Sequence, residues 1–220
     1  MAAISFNVVA FDLDGTLADT APDLAASLNH ALARLGRGSI EVEAVRHMVG
    51  HGARPLLRRG LAATGEFSEA LVDEAFPIFL DHYSANLCNG TKAYPELGAA
   101  LEALRAQGAA LAICTNKLEA LSLRLVEALG WGGVFASVVG GDTLPVRKPD
   151  PAPLHEAIAR AGGGRAAFVG DSITDADTAR AAGVPFIAVS FGFSDRPVEQ
   201  LGADAIIHSY AELLPALARL

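Results

Sequence analysis

The sequence carries little positive charge. Its 220 residues include 17 lysines and arginines against 25 aspartates and glutamates, which gives a formal net charge of −8 at pH 7. Binding to a polyanion depends on a basic surface that displaces counterions, so we expect neither a nucleic-acid partner nor an anionic-membrane partner. A small anionic substrate would instead have to be held by a local cation.

Cysteine is scarce, and long apolar runs are missing. Cys88 and Cys114 form no C-x-x-C pair, so neither a disulfide framework nor structural zinc is indicated. No Lys or Arg precedes Asp12, so the charged start of a signal peptide is lacking. Glycine and proline interrupt the uncharged runs before they reach the ~18 residues of a membrane span. We therefore expect a cytoplasmic protein with reduced thiols.

Apolar runs alternate with helical patterns along most of the chain. Apolar residues make up 51% of the sequence, which is enough to fill a large core. Six runs are typical of buried parallel strands, namely Val8–Phe11, Ala109–Cys114, Val134–Val139, Ala166–Val169, Phe186–Val189 and Ala205–Ile207. Leucines recur at helical spacing between the later runs. The pattern predicts an α/β fold, a Rossmann-like three-layer sandwich with a central parallel sheet.

The segment after the first run looks different, because no second strand is predicted before about Ala109. Helical patterns fill residues 24–35, 42–49, 53–63 and 67–87. The stretch "NGTKAYPELG", residues 89–98, has the glycine and proline of a returning linker. We therefore assign residues 1–17 and 91–220 to an α/β core and residues 18–90 to an inserted helical cap.

Polar residues follow four of the predicted strands. Ligands of open α/β sheets bind beyond the carboxyl ends of the strands, so these residues are expected to meet at one edge. In chain order they are Asp12 and Asp14, Thr115 and Asn116, Lys148, and finally Asp171 with Asp175. Four carboxylates and one lysine need a further cation, and oxygen-only ligands favour Mg²⁺.

The residue types at this edge suit phosphoryl transfer. Thr115 is predicted to begin the next helix, where its hydroxyl caps the helix and free backbone N–H groups suit a phosphate. Lys148 supplies a fixed positive charge for the same oxygens. Phosphoryl transfer needs a positioned nucleophile, a metal and donors around the phosphate oxygens. A carboxylate can itself be the nucleophile, through an aspartyl-phosphate.

Several of these residues could also serve a purely structural role. Ser172-x-x-Asp175 has the spacing of a capping box, so Asp175 could serve only to start a helix. Lys148 taken alone would suit a solvated position, and Lys117 is predicted to be a surface residue. The six histidines are scattered and indicate no site.

Other known motifs are not matched. Asp12-x-Asp14-Gly15 is not an EF-hand, because Leu17 stands where that loop needs glycine and Asp23 where it needs glutamate. No P-loop string is present, and "GDSIT" lacks the last glycine of a nucleophile elbow.

The order Asp-x-Asp-Gly-Thr, Thr-Asn-Lys, Lys-Pro and Gly-Asp-x-x-x-Asp resembles the haloacid dehalogenase superfamily and its phosphatase branch. The likeness runs from Phe11 to about Leu214, and the helical insert resembles the mobile cap of that superfamily. Within the branch, "FDLDGTLADTAPDL", "VGHGARPLL", "RKPDPAPL" and "VGDSITDADTARAAG" are most like phosphoglycolate phosphatases.

The resemblance implies a role for each site residue. Asp12 is the nucleophile, and Asp14 protonates the leaving alcohol and later activates water. The phosphate is held by Thr115 and Lys148, assisted by Asn116. The implied Mg²⁺ ligands are Asp12, Asp171 and the backbone carbonyl of Asp14, and the supporting residues are Asp175 and Thr16.

The expected function is Mg²⁺-dependent hydrolysis of a phosphomonoester, with 2-phosphoglycolate as the leading substrate. Pyrophosphatases, sugar-phosphate phosphatases and phosphomutases share most of the motifs and stay open as alternatives. A dehalogenase is disfavoured by Asp14, and a non-catalytic phosphate-binding protein is the alternative from another class. Arg54, in "HGAR", is a speculative ligand of a substrate carboxylate. A monomer and a homodimer are both compatible with the sequence.

Overall fold

A six-stranded parallel sheet forms the centre of the protein in the computed structural model, which describes residues 4–194 and 196–220. The described residues contain this sheet and a separate two-stranded one. Their strands are β1 (Val8–Phe11), β2 (Ala18–Asp19), β3 (Lys92–Ala93), β4 (Ala110–Cys114), β5 (Ser137–Val139), β6 (Ala166–Gly170), β7 (Phe186–Val189) and β8 (Ala205–Ile207). The order in the main sheet is β5-β4-β1-β6-β7-β8, and all neighbours run parallel. The predicted α/β fold with a parallel central sheet is confirmed.

Nine helices accompany the strands in the described ranges. They are α1 (Ala21–Arg34), α2 (Val42–Arg46), α3 (Ala53–Thr64), α4 (Glu69–Ala85), α5 (Leu97–Ala106), α6 (Glu119–Ala128), α7 (Ala152–Arg160), α8 (Ile173–Ala182) and α9 (Leu213–Leu217). None of the helices in these ranges combines the length with the apolar character that spanning a bilayer demands.

Helices cover both faces of the sheet, which explains why its strands are apolar throughout. Val8 and Ala10 of β1 pack into one buried cluster together with residues of α7 and α8. Val9 and Phe11 point the opposite way, into a larger cluster with residues of α5, α6 and α9. All four side chains are fully buried. Alternate residues of a strand face opposite sides, so a strand covered on both faces needs no polar residue.

The register of the sheet brings the ends of three strands together. Phe11 of β1 lies beside Ile113 of β4 and beside Val169 of β6. The ladder continues one step further, because the backbone N–H of Asp12 donates to the carbonyl of Val169 at 2.9 Å. The residues that come after these strands therefore emerge at one edge, as predicted.

The segment between β1 and β4 contains the four predicted helices α1 to α4, with α1 packed against α4. We call residues 18–90 the helical insert; its boundaries stay a proposal. The prediction that no second strand comes between Phe11 and about Ala109 was wrong, because β2 and β3 pair antiparallel where the insert begins and ends. Strands of two residues are too short to show an alternating pattern.

A buried carboxylate also joins the two ends of the insert. Asp23, in the first turn of α1, accepts hydrogen bonds from the backbone N–H groups of Gly90 and Thr91, both at 2.8 Å. The Thr91 hydroxyl donates to the same carboxylate at 2.6 Å. Because the chain leaves and re-enters the α/β core at neighbouring points, a long insertion fits without disturbing the sheet.

Candidate active site

Asp12 lies directly after the central strand and is buried. The turn behind it depends on Gly15, whose φ of +82° is a conformation that residues with a side chain rarely adopt. A Cβ at Gly15 would also overlap the Asp171 carboxylate and the Phe193 ring. The glycine of Asp-x-Asp-Gly therefore allows the first strand end to pack directly against Asp171.

Lys148 is the cation of this edge, and it is buried rather than solvated. Its Nζ lies 3.0 Å from Asp12 Oδ1 and 2.6 Å from Asp175 Oδ1. Burial alone would lower the pKa of Lys148, but the two carboxylates raise it above its ordinary value, so the side chain stays charged. The peptide bond from Lys148 to Pro149 is cis.

Three buried carboxylates form a group that suits a metal ion. One oxygen each from Asp12, Asp171 and Asp175 lies within 4.8 Å of the others. Burial raises the pKa of Asp12 to about 6. The charge of Lys148 opposes this rise, and the nearby acidic groups add to it. Burial also raises the pKa of Asp171 well above its ordinary value. Like charges held together out of water call for a cation, and the oxygen donors fit a hard divalent ion such as Mg²⁺.

Asp171 is held in place by its neighbours. Its Oδ2 accepts a hydrogen bond from the backbone N–H of Phe193 at 2.6 Å. The predicted supporting residue Thr16 is buried and donates its hydroxyl to Asp171 Oδ1 at 3.1 Å. These two bonds fix the orientation of the carboxylate toward the group.

Asp175 begins a helix and also contacts the buried lysine of the site. It forms the predicted capping box of α8, because its Oδ2 accepts from the Ser172 backbone N–H at 3.1 Å while the Ser172 hydroxyl caps the Asp175 N–H. Its Oδ1 accepts from Lys148. One oxygen therefore starts the helix and the other faces the site.

Lys117 does not lie at the surface, so that prediction was wrong. The residue is buried, and its Nζ lies 2.9 Å from Asp14 Oδ1 and 3.2 Å from Asp14 Oδ2. The same ammonium donates to the Tyr83 hydroxyl at 2.6 Å. A signal was available in the sequence, because Lys117 directly follows Thr115 and Asn116 at a strand end.

Thr115 and Asn116 are buried at the site but differ from the predicted local structure. Thr115 does not cap α6, whose N-cap is Leu118; its hydroxyl instead accepts from the Lys117 backbone N–H at 3.3 Å. Four residues, 115–118, separate the strand from the helix, which the apolar pattern could not reveal. The Asn116 amide donates to the carbonyls of Lys148 at 3.1 Å and Gly50 at 3.3 Å, and so joins three loops.

A cavity of about 240 Å³ opens beside Asp12 and Asp14. Its walls come from the strand ends and from the insert, and they include Phe79, Tyr83, Arg54 and Arg147. The speculative substrate ligand Arg54 does reach this cavity, although Asp73 pairs with it at 2.6 Å. Sequence analysis missed Arg147 and Tyr83 as residues of the cavity.

Comparisons with known proteins agree with this geometry. The Haloacid dehalogenase-like hydrolase family matches residues 9–189. Phosphoglycolate phosphatase of Mesorhizobium japonicum is 46% identical over 214 residues, covering 96% of this chain and 94% of that protein. The corresponding protein of Caulobacter vibrioides is 45% identical over 212 residues, covering 93% and 88%. The crystal structure of a predicted phosphoglycolate phosphatase from Haemophilus somnus superposes with a TM-score of 0.89 at 33% identity, covering 96% and 97%.

These matches confirm the resemblance that the four motifs predicted, both for the superfamily and for the branch most like this chain. The family match covers residues 9–189, and the two relatives, 46% and 45% identical, cover 96% and 93% of the chain. The chain therefore belongs to the haloacid dehalogenase-like hydrolases and is a phosphomonoester hydrolase.

Proposed function

We propose that this hydrolase acts on 2-phosphoglycolate, with Mg²⁺ as its cofactor and Asp12 as its nucleophile. The observation that carries the proposal is the buried group of Asp12, Asp171, Asp175 and Lys148, in which Asp12 also lines the cavity. The cavity has a volume of about 240 Å³, which is enough for a small phosphate ester.

The first half of the reaction transfers the phosphoryl group to the protein. An Asp12 carboxylate oxygen attacks phosphorus, an acyl-phosphate bond forms, and the ester bond between phosphorus and the substrate oxygen breaks. Asp14 gives a proton to that oxygen, so glycolate leaves as an alcohol rather than an alkoxide. Thr115 and Lys148 are the proposed ligands of the transferred phosphate.

The second half releases phosphate. Asp14, now ionised, takes a proton from a water molecule that attacks phosphorus, and the bond between phosphorus and Asp12 breaks. Asp12 and Asp14 are thereby returned to their starting forms, and inorganic phosphate leaves.

The proposed Mg²⁺ ligands are Asp12, Asp171 and the Asp14 backbone carbonyl, with Asp175 and Thr16 in support. When bound, the ion offsets the negative charge of the phosphate oxygens and of the carboxylates around it. Without it, three buried carboxylates face one lysine, and an incoming dianion would be repelled.

The substrate is inferred from the charges that surround the cavity. Arg54 and Arg147 line it together with apolar side chains of the insert. Cations around a small space favour a leaving group that carries its own carboxylate, as glycolate does. The relatives from Mesorhizobium japonicum and Caulobacter vibrioides, named phosphoglycolate phosphatases, support the same substrate.

The arrangement of the chain supports further proposals. We propose that the insert, residues 18–90, acts as a cap over the site, because α3 and α4 supply walls of the cavity. A monomer or homodimer without nucleic acid remains our expectation, as does a cytoplasmic location, which fits the free Cys88 and Cys114.

Phosphate release tests the proposal. The protein is assayed with 2-phosphoglycolate, pyrophosphate and several sugar phosphates, with Mg²⁺ and with chelator, beside an Asp12→Asn variant. We expect metal-dependent release that is fastest with 2-phosphoglycolate and is lost in the variant. A different leading substrate would replace glycolate, and transfer to a sugar hydroxyl faster than to water would identify a phosphomutase. Activity retained by Asp12→Asn would contradict the mechanism.

A further inference from the structure

A buried cation holds the residue that carries the proton. Lys117 Nζ contacts both carboxylate oxygens of Asp14, at 2.9 and 3.2 Å. The Lys117 side chain is 4% exposed and that of Asp14 is 12% exposed, so water screens the pair little. The proposed reaction uses Asp14 twice but assigns nothing to Lys117.

The backbone of Lys117 is fixed as firmly as its side chain. Its carbonyl accepts a hydrogen bond from the Gly141 N–H at 2.8 Å, and its own N–H donates to the Thr115 hydroxyl at 3.3 Å. A side chain at Gly141 would overlap the Asn116 backbone, so the two loops pack closely. A lysine anchored in this way loses little further freedom when it pairs with Asp14.

The second contact of the ammonium comes from the insert. Tyr83, on α4, accepts from Lys117 Nζ at 2.6 Å, and the ammonium lies 4.5 Å from the centre of the Tyr83 ring. Tyr83 is buried and stacks on Phe79 with 5.7 Å between ring centres. Burial raises the pKa of Tyr83 to about 12, so its hydroxyl is neutral at physiological pH.

We propose that Lys117 is a positioning residue that aligns the Asp14 carboxylate for proton transfer, and that Tyr83 of the insert holds Lys117 in that position. The inference rests on the proposed role of Asp14. Proton transfer needs donor and acceptor within hydrogen-bond reach, so a carboxylate that turns away stops both halves of the reaction. The Tyr83–Lys117–Asp14 chain makes the alignment depend on the insert being seated.

Two different roles for Lys117 would each give different kinetics. A lysine that binds the carboxylate of 2-phosphoglycolate directly would act on KM for that substrate alone. If Lys117 only stabilised the fold, its substitution would lower the thermal stability and would reduce the activity on both substrates by the same factor. A positioning role is distinguished by the leaving group, because p-nitrophenolate departs without a proton whereas glycolate needs one.

The experiment compares Lys117→Met, Lys117→Gln and Tyr83→Phe with the wild type, on 2-phosphoglycolate and on p-nitrophenyl phosphate. Lys92→Met is the matched control, because Lys92 is exposed and loses the same charge. Asp14→Asn shows the result of losing the proton carrier itself. Steady-state rates are combined with rapid mixing, which resolves a first turnover of p-nitrophenolate, and with thermal unfolding.

We expect Lys117→Met to lower kcat for 2-phosphoglycolate about 10–100-fold with KM nearly unchanged, because a misaligned Asp14 loses part of the roughly 10²–10⁴-fold that acid–base catalysis contributes. With p-nitrophenyl phosphate it should give a rapid release of one p-nitrophenolate per site followed by slow turnover, as should Asp14→Asn. Lys117→Gln should behave like Lys117→Met. Tyr83→Phe should lower kcat for 2-phosphoglycolate about 3–10-fold and show the same rapid first release of p-nitrophenolate.

Three results would overturn the inference. They are an equal loss on both substrates without a rapid first turnover, a rise in KM confined to 2-phosphoglycolate, and a kcat within about twofold of the wild type in Lys117→Met. Tyr83→Phe keeps the buried ring, so it tests the chain even where Lys117→Met folds poorly. Failure of the proposed function looks different, because the wild type itself would then release no phosphate from 2-phosphoglycolate.

Discussion

The Lys148 ammonium lies 2.6 Å from the Asp175 carboxylate, and the two side chains are 1% and 0% exposed. Asp12 contacts the same ammonium at 3.0 Å, so one lysine offsets two buried carboxylates at the proposed site of phosphoryl transfer. A buried pair of this kind costs desolvation when it forms, but removing one partner leaves a charge with nothing to offset it.

Replacing Lys148 by methionine should therefore damage both stability and activity. We expect the free energy of unfolding to fall by about 3–5 kcal/mol, the usual cost of breaking a buried pair, with phosphatase activity lost. Urea unfolding monitored by circular dichroism measures the first effect. Arg180→Met is the control, since its pair with Asp177 is exposed and should change stability by less than about 1 kcal/mol. Equal losses in the two variants would contradict the prediction.

Mg²⁺ should stabilise the protein more at pH 8 than at pH 5. Burial raises the pKa of Asp12 to about 6, and it also raises the pKa of Asp171 well above its ordinary value. A carboxyl group whose pKa is raised in the folded state stabilises the protein at low pH. This stabilisation is fully present below 3.8, the pKa in the unfolded state, and is lost as the pH rises through the pKa of the folded state. Protons therefore relieve the repulsion at low pH, and the metal relieves it at high pH.

Thermal unfolding with and without Mg²⁺ at the two pH values measures this difference. In Asp12→Asn one charge is removed permanently, so its metal-free form should unfold at a higher temperature at pH 8 and gain less from Mg²⁺. A gain from Mg²⁺ that is the same at pH 5 and pH 8 in the wild type would count against the carboxylate group as the binding site.

The two arginines of the cavity should act on substrate binding. Arg147→Ala is expected to raise KM for 2-phosphoglycolate about 10-fold or more, because a charge-assisted hydrogen bond is worth about 1.5–3 kcal/mol. Arg54 already pairs with Asp73 and lies over the Phe76 ring, so Arg54→Ala should have the smaller effect. The KM for p-nitrophenyl phosphate, which has no carboxylate, serves as the control. If neither substitution moved KM for 2-phosphoglycolate, the carboxylate would have to be bound elsewhere.

Gly15→Ala should be far more damaging than Gly36→Ala. Both glycines have positive φ, +82° and +68°, so each substitution incurs a similar conformational cost of about 1 kcal/mol. Only at Gly15 does the added methyl group meet the Asp171 carboxylate, whereas nothing lies within 4 Å at Gly36. We expect Gly15→Ala to lower both the melting temperature and Mg²⁺ affinity. Comparable melting temperatures in the two variants would show that Asp171 can move aside.

The sequence by itself determined the parallel sheet and the residues at its carboxyl edge. Short apolar runs that alternate with helical patterns are typical of strands buried on both faces, and parallel strands place the residues after them at one edge. Asp12, Asp171 and Lys148 could therefore be brought together before any coordinates were known. The capping box of Asp175 was equally local, since its two partners lie three residues apart.

Contacts between distant elements were decided only by the tertiary structure. The sequence predicted a surface position for Lys117 and a helix cap for Thr115. The place of Lys117 at a strand end was the one local signal, because neither the turn before α6 nor the contact with Tyr83 is visible within a few residues. The hydroxyl that holds Lys117 comes from a helix 34 residues away, and Asp14 lies 103 residues away. Periodicity describes which face a helix buries, but where that helix lies over the site depends on how the whole insert packs against the α/β core.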